Sequence, residues 1–163
     1  MEILCADCGC LVDRGLRLSL CDDVGCCCAA LALQSTATLA ARVVAALEAS
    51  DLPGLGALLA PNARWGAPDD DVPACQNREQ VIDWYASSRE AGMSATVVAS
   101  EVVGDNIVLG LRVSSHSVDE PFDDFEHWQV LSVRDGLVAE IRGYDERVEA
   151  EASAALNHSN WTP

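Results

Sequence analysis

Lysine is missing from this sequence. All ten basic side chains are arginines, set against 26 aspartates and glutamates, for a formal charge of −16 at neutral pH. That balance argues against nucleic acid as a partner, because binding phosphates requires a basic footprint. It disfavours an anionic membrane surface for the same reason. The charge reads instead as a self-repelling, solvated surface. Long apolar runs are also absent, and nothing approaches the ~18 residues of a membrane span. The stretch before Ala29–Leu33 is acidic and cysteine-rich, unlike the basic start of a signal peptide. A cytoplasmic protein is the expectation. Internal repeats and low-complexity tracts are lacking too. The arginine-only usage, with the alanine and glycine content, reads as a coding bias of the genome rather than as function.

What is present is 163 residues, half of them hydrophobic. That suffices for one well-buried domain and a small appendage. Seven of the eight cysteines fall in the first 28 residues. In a reducing compartment such a cluster suggests metal before disulfides. Cys5-Ala6-Asp7-Cys8-Gly9 matches a zinc knuckle, and Cys21 with Cys26-Cys27-Cys28 follows at a spacing suited to a short hairpin. The segment resembles a zinc ribbon, which implies one structural zinc on Cys5, Cys8, Cys21 and one or more of Cys26 to Cys28, with Cys26 the first candidate among them. The last position departs from the usual spacing, and free thiols on a loose tail, or a start codon assigned too far upstream, are the competing readings. No organic cofactor is expected. Residues 1–34 are therefore set apart from a main domain over 36–155, with 157–163 as a frayed tail.

From Thr36 the apolar spacing becomes helical, with Leu39, Val43, Ala46 and Leu47 on one face. Asp51 caps a second helix with Leu52, Leu55, Leu58 and Leu59 inward, ended by Pro61-Asn62. A short strand over 63–67 carries Trp65. Asp69-Asp70-Asp71 reads as a solvated loop. Asn77 and Gln80 open a third helix, with Val81, Ile82, Trp84 and Tyr85 inward and Gly92 at its end. Strands over 96–103 and 107–117 meet at Gly104-Asp105-Asn106. A closing acidic helix covers 146–156.

The stretch from Phe125 to Asp145 organises the rest. Asp135-Gly136 between two apolar runs is a strong hairpin signal, because a type I′ turn needs φ > 0 at both central positions. Phe125, His127, Gln129, Leu131 and Val133 share one face of the first strand. On the second strand the spacing of Val138 and Ile141 breaks the alternation, and a β-bulge near Ala139-Glu140 restores it. Leu131 then faces Ile141, Gln129 faces Gly143, and His127 faces Asp145.

The order helix, helix, strand, helix and four antiparallel strands resembles the nuclear transport factor 2-like superfamily. The motifs that carry the resemblance are Leu58-Leu59-Ala60-Pro61-Asn62-Ala63, Asn77-Arg78-Glu79-Gln80-Val81, Val133-Arg134-Asp135-Gly136 and Ile141-Arg142-Gly143-Tyr144-Asp145. Within it the chain is most similar to the small SnoaL-like, polyketide-cyclase-like proteins. The resemblance implies an α+β fold, a cone-shaped bent antiparallel sheet wrapped around three helices, with a pocket and a homodimer through the sheet. Against the ketosteroid isomerase branch, the general-base Asp falls on Ala67 and the helix Tyr on Val43. The oxyanion-stabilising Asp falls near Gln129, so two of three roles are missing.

His127 is the candidate acid/base, since its ordinary pKa lies near neutrality. Asp145 would orient its ring, and Gln129 would hydrogen-bond a ligand carbonyl. Trp65, Trp84, Tyr85, Phe125, Leu131 and Ile141 are the expected pocket lining for a small apolar molecule. Each has a plainer reading as core or surface. Two function classes follow: proton transfer on a carbonyl compound, or a non-catalytic binding or dimerising module.

Overall fold

The computed structural model describes residues 27–116 and 123–156, with side chains from residue 36, and the backbone of two short strands. These strands, β1 (Glu2–Leu4) and β2 (Leu11–Asp13), pair antiparallel. The proposed zinc ligands Cys5, Cys8, Cys21 and Cys26 lie outside the described residues, as does the tail after residue 156.

Helix α1 spans Cys27–Glu48 and therefore crosses the boundary drawn at residues 34–36. Alanine and leucine between residues 29 and 33 are strong helix formers, so the helix runs back into the cysteine-rich stretch. Helix α2 (Leu52–Leu58) is capped by the Asp51 carboxylate, which accepts from Gly54 N at 2.9 Å. Strand β3 (Leu59–Gly66) begins earlier than the pattern suggests and contains Pro61. It tolerates that proline because β3 lies at the sheet edge and its register shifts between Leu59 and Arg64. Helix α3 (Arg78–Glu90) starts at Asn77, whose Oδ1 accepts from Gln80 N at 2.9 Å.

Four strands follow, β4 (Met93–Val103), β5 (Asn106–Ser115), β6 (Phe125–Arg134) and β7 (Leu137–Tyr144), then helix α4 (Arg147–Leu156). The sheet order is β3-β7-β6-β5-β4. The four late strands are antiparallel to their neighbours, whereas β3 adds to β7 in parallel. Asp135 and Gly136 both take positive φ, 52° and 74°, as a type I′ turn requires. The β6–β7 register runs Leu131↔Ile141 and Ser132↔Glu140, then shifts to Val133↔Val138, so the bulge falls on Ala139.

The two faces of the sheet have separate cores. On the inner face Leu39, Val43 and Ala46 of α1, Leu55 and Leu58 of α2 and Val81 of α3 pack on Ile107, Leu109, Leu131 and Ile141. On the outer face Ala150 and Ala154 of α4 pack on Val108, Trp128, Val130 and Tyr144. Gly110 makes that second layer possible: a Cβ there would stand 2.7 Å from the Trp128 ring that crosses it. Among the described residues, no helix is long and apolar enough to cross a membrane.

Candidate functional site

A cavity of about 460 Å³ opens between the inner face of the sheet and the three helices. Its depth is set by Leu55, Leu111 and Gln129, all nearly inaccessible to solvent. Its mouth is lined by Ser50, Ser94 and Phe125, which are exposed. The bulge at Ala139 keeps Ile141 and Gly143 on the inner face and so lets β7 close the sheet beside β6.

Trp65, Trp84, Tyr85 and Phe125 line this cavity. The two indoles lie 4.0 Å apart between ring centroids at 30°, and Tyr85 meets Trp84 edge-on at 5.2 Å. The result is an aromatic cluster along one side of the cavity. Leu131 and Ile141, expected in the lining, belong instead to the core, with 2% and 1% exposure. They sit deeper along the hairpin, towards the Asp135-Gly136 turn, in the core between the helices and the inner face. Val43 and Ala67 do not line the cavity. Val43 is buried in the helix-side core.

Gln129 is 1% exposed and its Oε1 accepts from the Tyr85 hydroxyl at 3.2 Å. That hydroxyl is an obligate donor at neutral pH, because burial pushes its pKa up to about 12 despite the pull of Gln129. The bond fixes the amide, leaving the Nε2 donors without a partner among the described residues. Trp65 Nε1, in the same cluster, is buried without one as well.

His127 lines the cavity with its ring laid across Gly143, where a Cβ would stand 2.9 Å from Cε1 and Nε2. Neither ring nitrogen has a hydrogen-bond partner among the described residues. Burial lowers the ring's pKa from the usual 6.5, and the Asp145 charge only partly opposes this. The hydrogen bond expected between His127 and Asp145 is not formed. β7 ends at Tyr144 and the chain bends toward α4, so Asp145 is exposed and acts on the ring only through space.

The mouth holds residues that the hairpin reading passed over. Ser88 and Arg89 line the cavity, and Arg89 Nη1 donates to Ser50 O at 3.0 Å. The signal was available, since both lie four residues beyond Trp84 and Tyr85 on the same helical face. Among the described residues, no group of three His, Cys, Asp or Glu side chains is arranged to hold a metal.

The SnoaL-like domain family model matches residues 40–141. The chain belongs to the SnoaL-like family. Solved structures of similar fold include a cystatin-fold protein from Novosphingobium aromaticivorans, 15% identical, covering 68% of this chain and 97% of its own, with a TM-score of 0.60. A candidate SnoaL-like polyketide cyclase from Jannaschia sp. CCS1 is 18% identical, covering 75% and 92%, at 0.55. A candidate polyketide cyclase from Sinorhizobium meliloti is 20% identical, covering 66% and 94%, at 0.51. At these identities the likeness establishes the fold. No curated protein sequence matches. The SnoaL-like fold assigned from the order of elements is thus the one this chain adopts.

Proposed function

We propose that this SnoaL-like domain binds a small, largely apolar carbonyl compound in its cavity and that His127 moves a proton on it. One observation carries the reading: the Tyr85 hydroxyl holds Gln129 so that its amide donors are left for a ligand, in the same cavity as an uncharged imidazole. A ketone oxygen accepting from Gln129 would be polarised, and the adjacent C–H acidified, while His127 accepts the proton as a base. The stacked indoles supply the apolar wall for a flat ring system. The missing His127–Asp145 hydrogen bond favours the second reading, a binding module without turnover, because no described residue fixes the ring's tautomer.

2-Tetralone, a small apolar ketone with acidic C–H bonds beside its carbonyl, separates the two. In deuterated buffer the native protein should accelerate deuterium uptake at those carbons, followed by proton NMR. His127→Gln should lose about 100-fold or more of that acceleration, the scale of a general base, while its circular dichroism is unchanged. If 2-tetralone raises the melting temperature but exchanges at the buffer rate, the binding module is correct.

A structural zinc on Cys5, Cys8, Cys21 and Cys26 belongs to the same proposal, and metal analysis of chain purified without chelator should give about one zinc per chain. A homodimer through the sheet is part of the same proposal; beside the patch packed under α4, the outer face carries Thr96, Arg112 and Glu126 in one row.

A further inference from the structure

The cavity is free of acid in a chain that has a large excess of it. Among the described residues no aspartate or glutamate lines it, whereas Arg89 stands at its edge and His127 within it. Among the described residues Arg89 forms no ion pair: one Nη1 hydrogen goes to the Ser50 carbonyl, which anchors the guanidinium beside the mouth, and its other donors have no partner there. Every other described arginine is accounted for differently. Arg64, Arg134, Arg112 and Arg147 pair with glutamates, Arg78 donates twice to Leu59 O, Arg142 is buried under α4, and Arg42 lies exposed on α1. Arg89 alone combines an anchored guanidinium, no carboxylate partner and a place in the cavity wall.

From this we infer that the ligand is an apolar carboxylic acid, bound as its monoanion with the carboxylate at the mouth on Arg89 and the hydrocarbon part against Trp65 and Trp84. The inference rests on the binding reading above and narrows it. A guanidinium offers paired N–H donors that match a carboxylate, and the pair is stronger beside an apolar wall than in open water. The acidic surface elsewhere repels anions in general, and the apolar wall discriminates against small hydrophilic anions, which bury too little apolar area to offset that repulsion.

The test is calorimetric titration of the full chain with 2-naphthoate and with its methyl ester, which share one ring system and differ by the charge. The native protein should bind the acid about tenfold more tightly, as a charge-assisted pair implies. Arg89→Gln should bring the two affinities together, and Arg89→Lys should keep a reduced preference for the acid. Raising the salt concentration should narrow the native gap, since the mouth is exposed. Equal affinities, or tighter ester, in the native protein would overturn this inference while leaving the cavity reading intact. Should neither compound bind, the cavity reading falls and this one with it.

Discussion

The imidazole of His127 lies across Gly143 of the neighbouring strand, so its position depends on a residue without a side chain. A strand glycine often marks such a close approach. The ring is held in a partly dry setting with no hydrogen bond to any described residue, and desolvation outweighs the attraction of Asp145. Its folded pKa is therefore below the unfolded one, and the sign of the pH effect follows. Above the usual 6.5 both states carry a neutral ring, and the group adds no pH dependence. As pH falls through that value toward the folded pKa, the unfolded chain takes up the proton first and stability is lost. The ring resonances of His127 should titrate with a midpoint below 6.5, and His127→Gln should flatten the fall in stability over the same range. A midpoint above 6.5 would mean that the carboxylate wins and that Asp145 does contact the ring.

Among the elements, α4 holds the outer face and the three earlier helices hold the inner one. Ala150 is fully buried at the α4–sheet contact, and Arg147 lies over the Trp128 ring at 5.2 Å. Beneath them Arg142 donates to Ser132 Oγ and Ser153 Oγ, and Tyr144 donates to Ser153 Oγ at 2.6 Å. Ala150→Asp would bury an unpaired charge there and should cost about 3 kcal/mol in urea unfolding. Binding of 2-tetralone should persist under native conditions, because the cavity is on the other side of the sheet. Loss of binding together with stability would show that the two layers are coupled. The hairpin and its bulge were readable because they have local causes: Asp135-Gly136 needs positive φ, and Val138 and Ile141 reach one face only with an extra residue between them. The parallel pairing of β3 was not, since it depends on where a distant strand ends. Nor was the direction of Asp145, which is set by the bend between β7 and α4. Arg89 escaped notice because an arginine in a last helical turn has an ordinary reading beside the helix dipole.

For the molecule as a whole, a SnoaL-like cone with its cavity between helices and sheet was legible from the order and spacing of its elements. The cavity's contents were legible only in part. Trp65, Trp84, Tyr85, Phe125, His127 and Gln129 do converge on it, while Leu131 and Ile141 lie in the core. Period-two patterning assigns a side chain to a face but says nothing about depth along it, and depth separates lining from core here. The claim on which the rest depends is that a small apolar molecule occupies this cavity. The most direct measurement follows the indole N–H resonances of 15N-labelled protein during titration with 2-tetralone. Trp65 and Trp84 in the cavity wall should shift together and saturate, while Trp128, on the outer face beneath α4, stays in place. Saturable shifts confined to Trp128, or none at Trp65 and Trp84, would contradict the account.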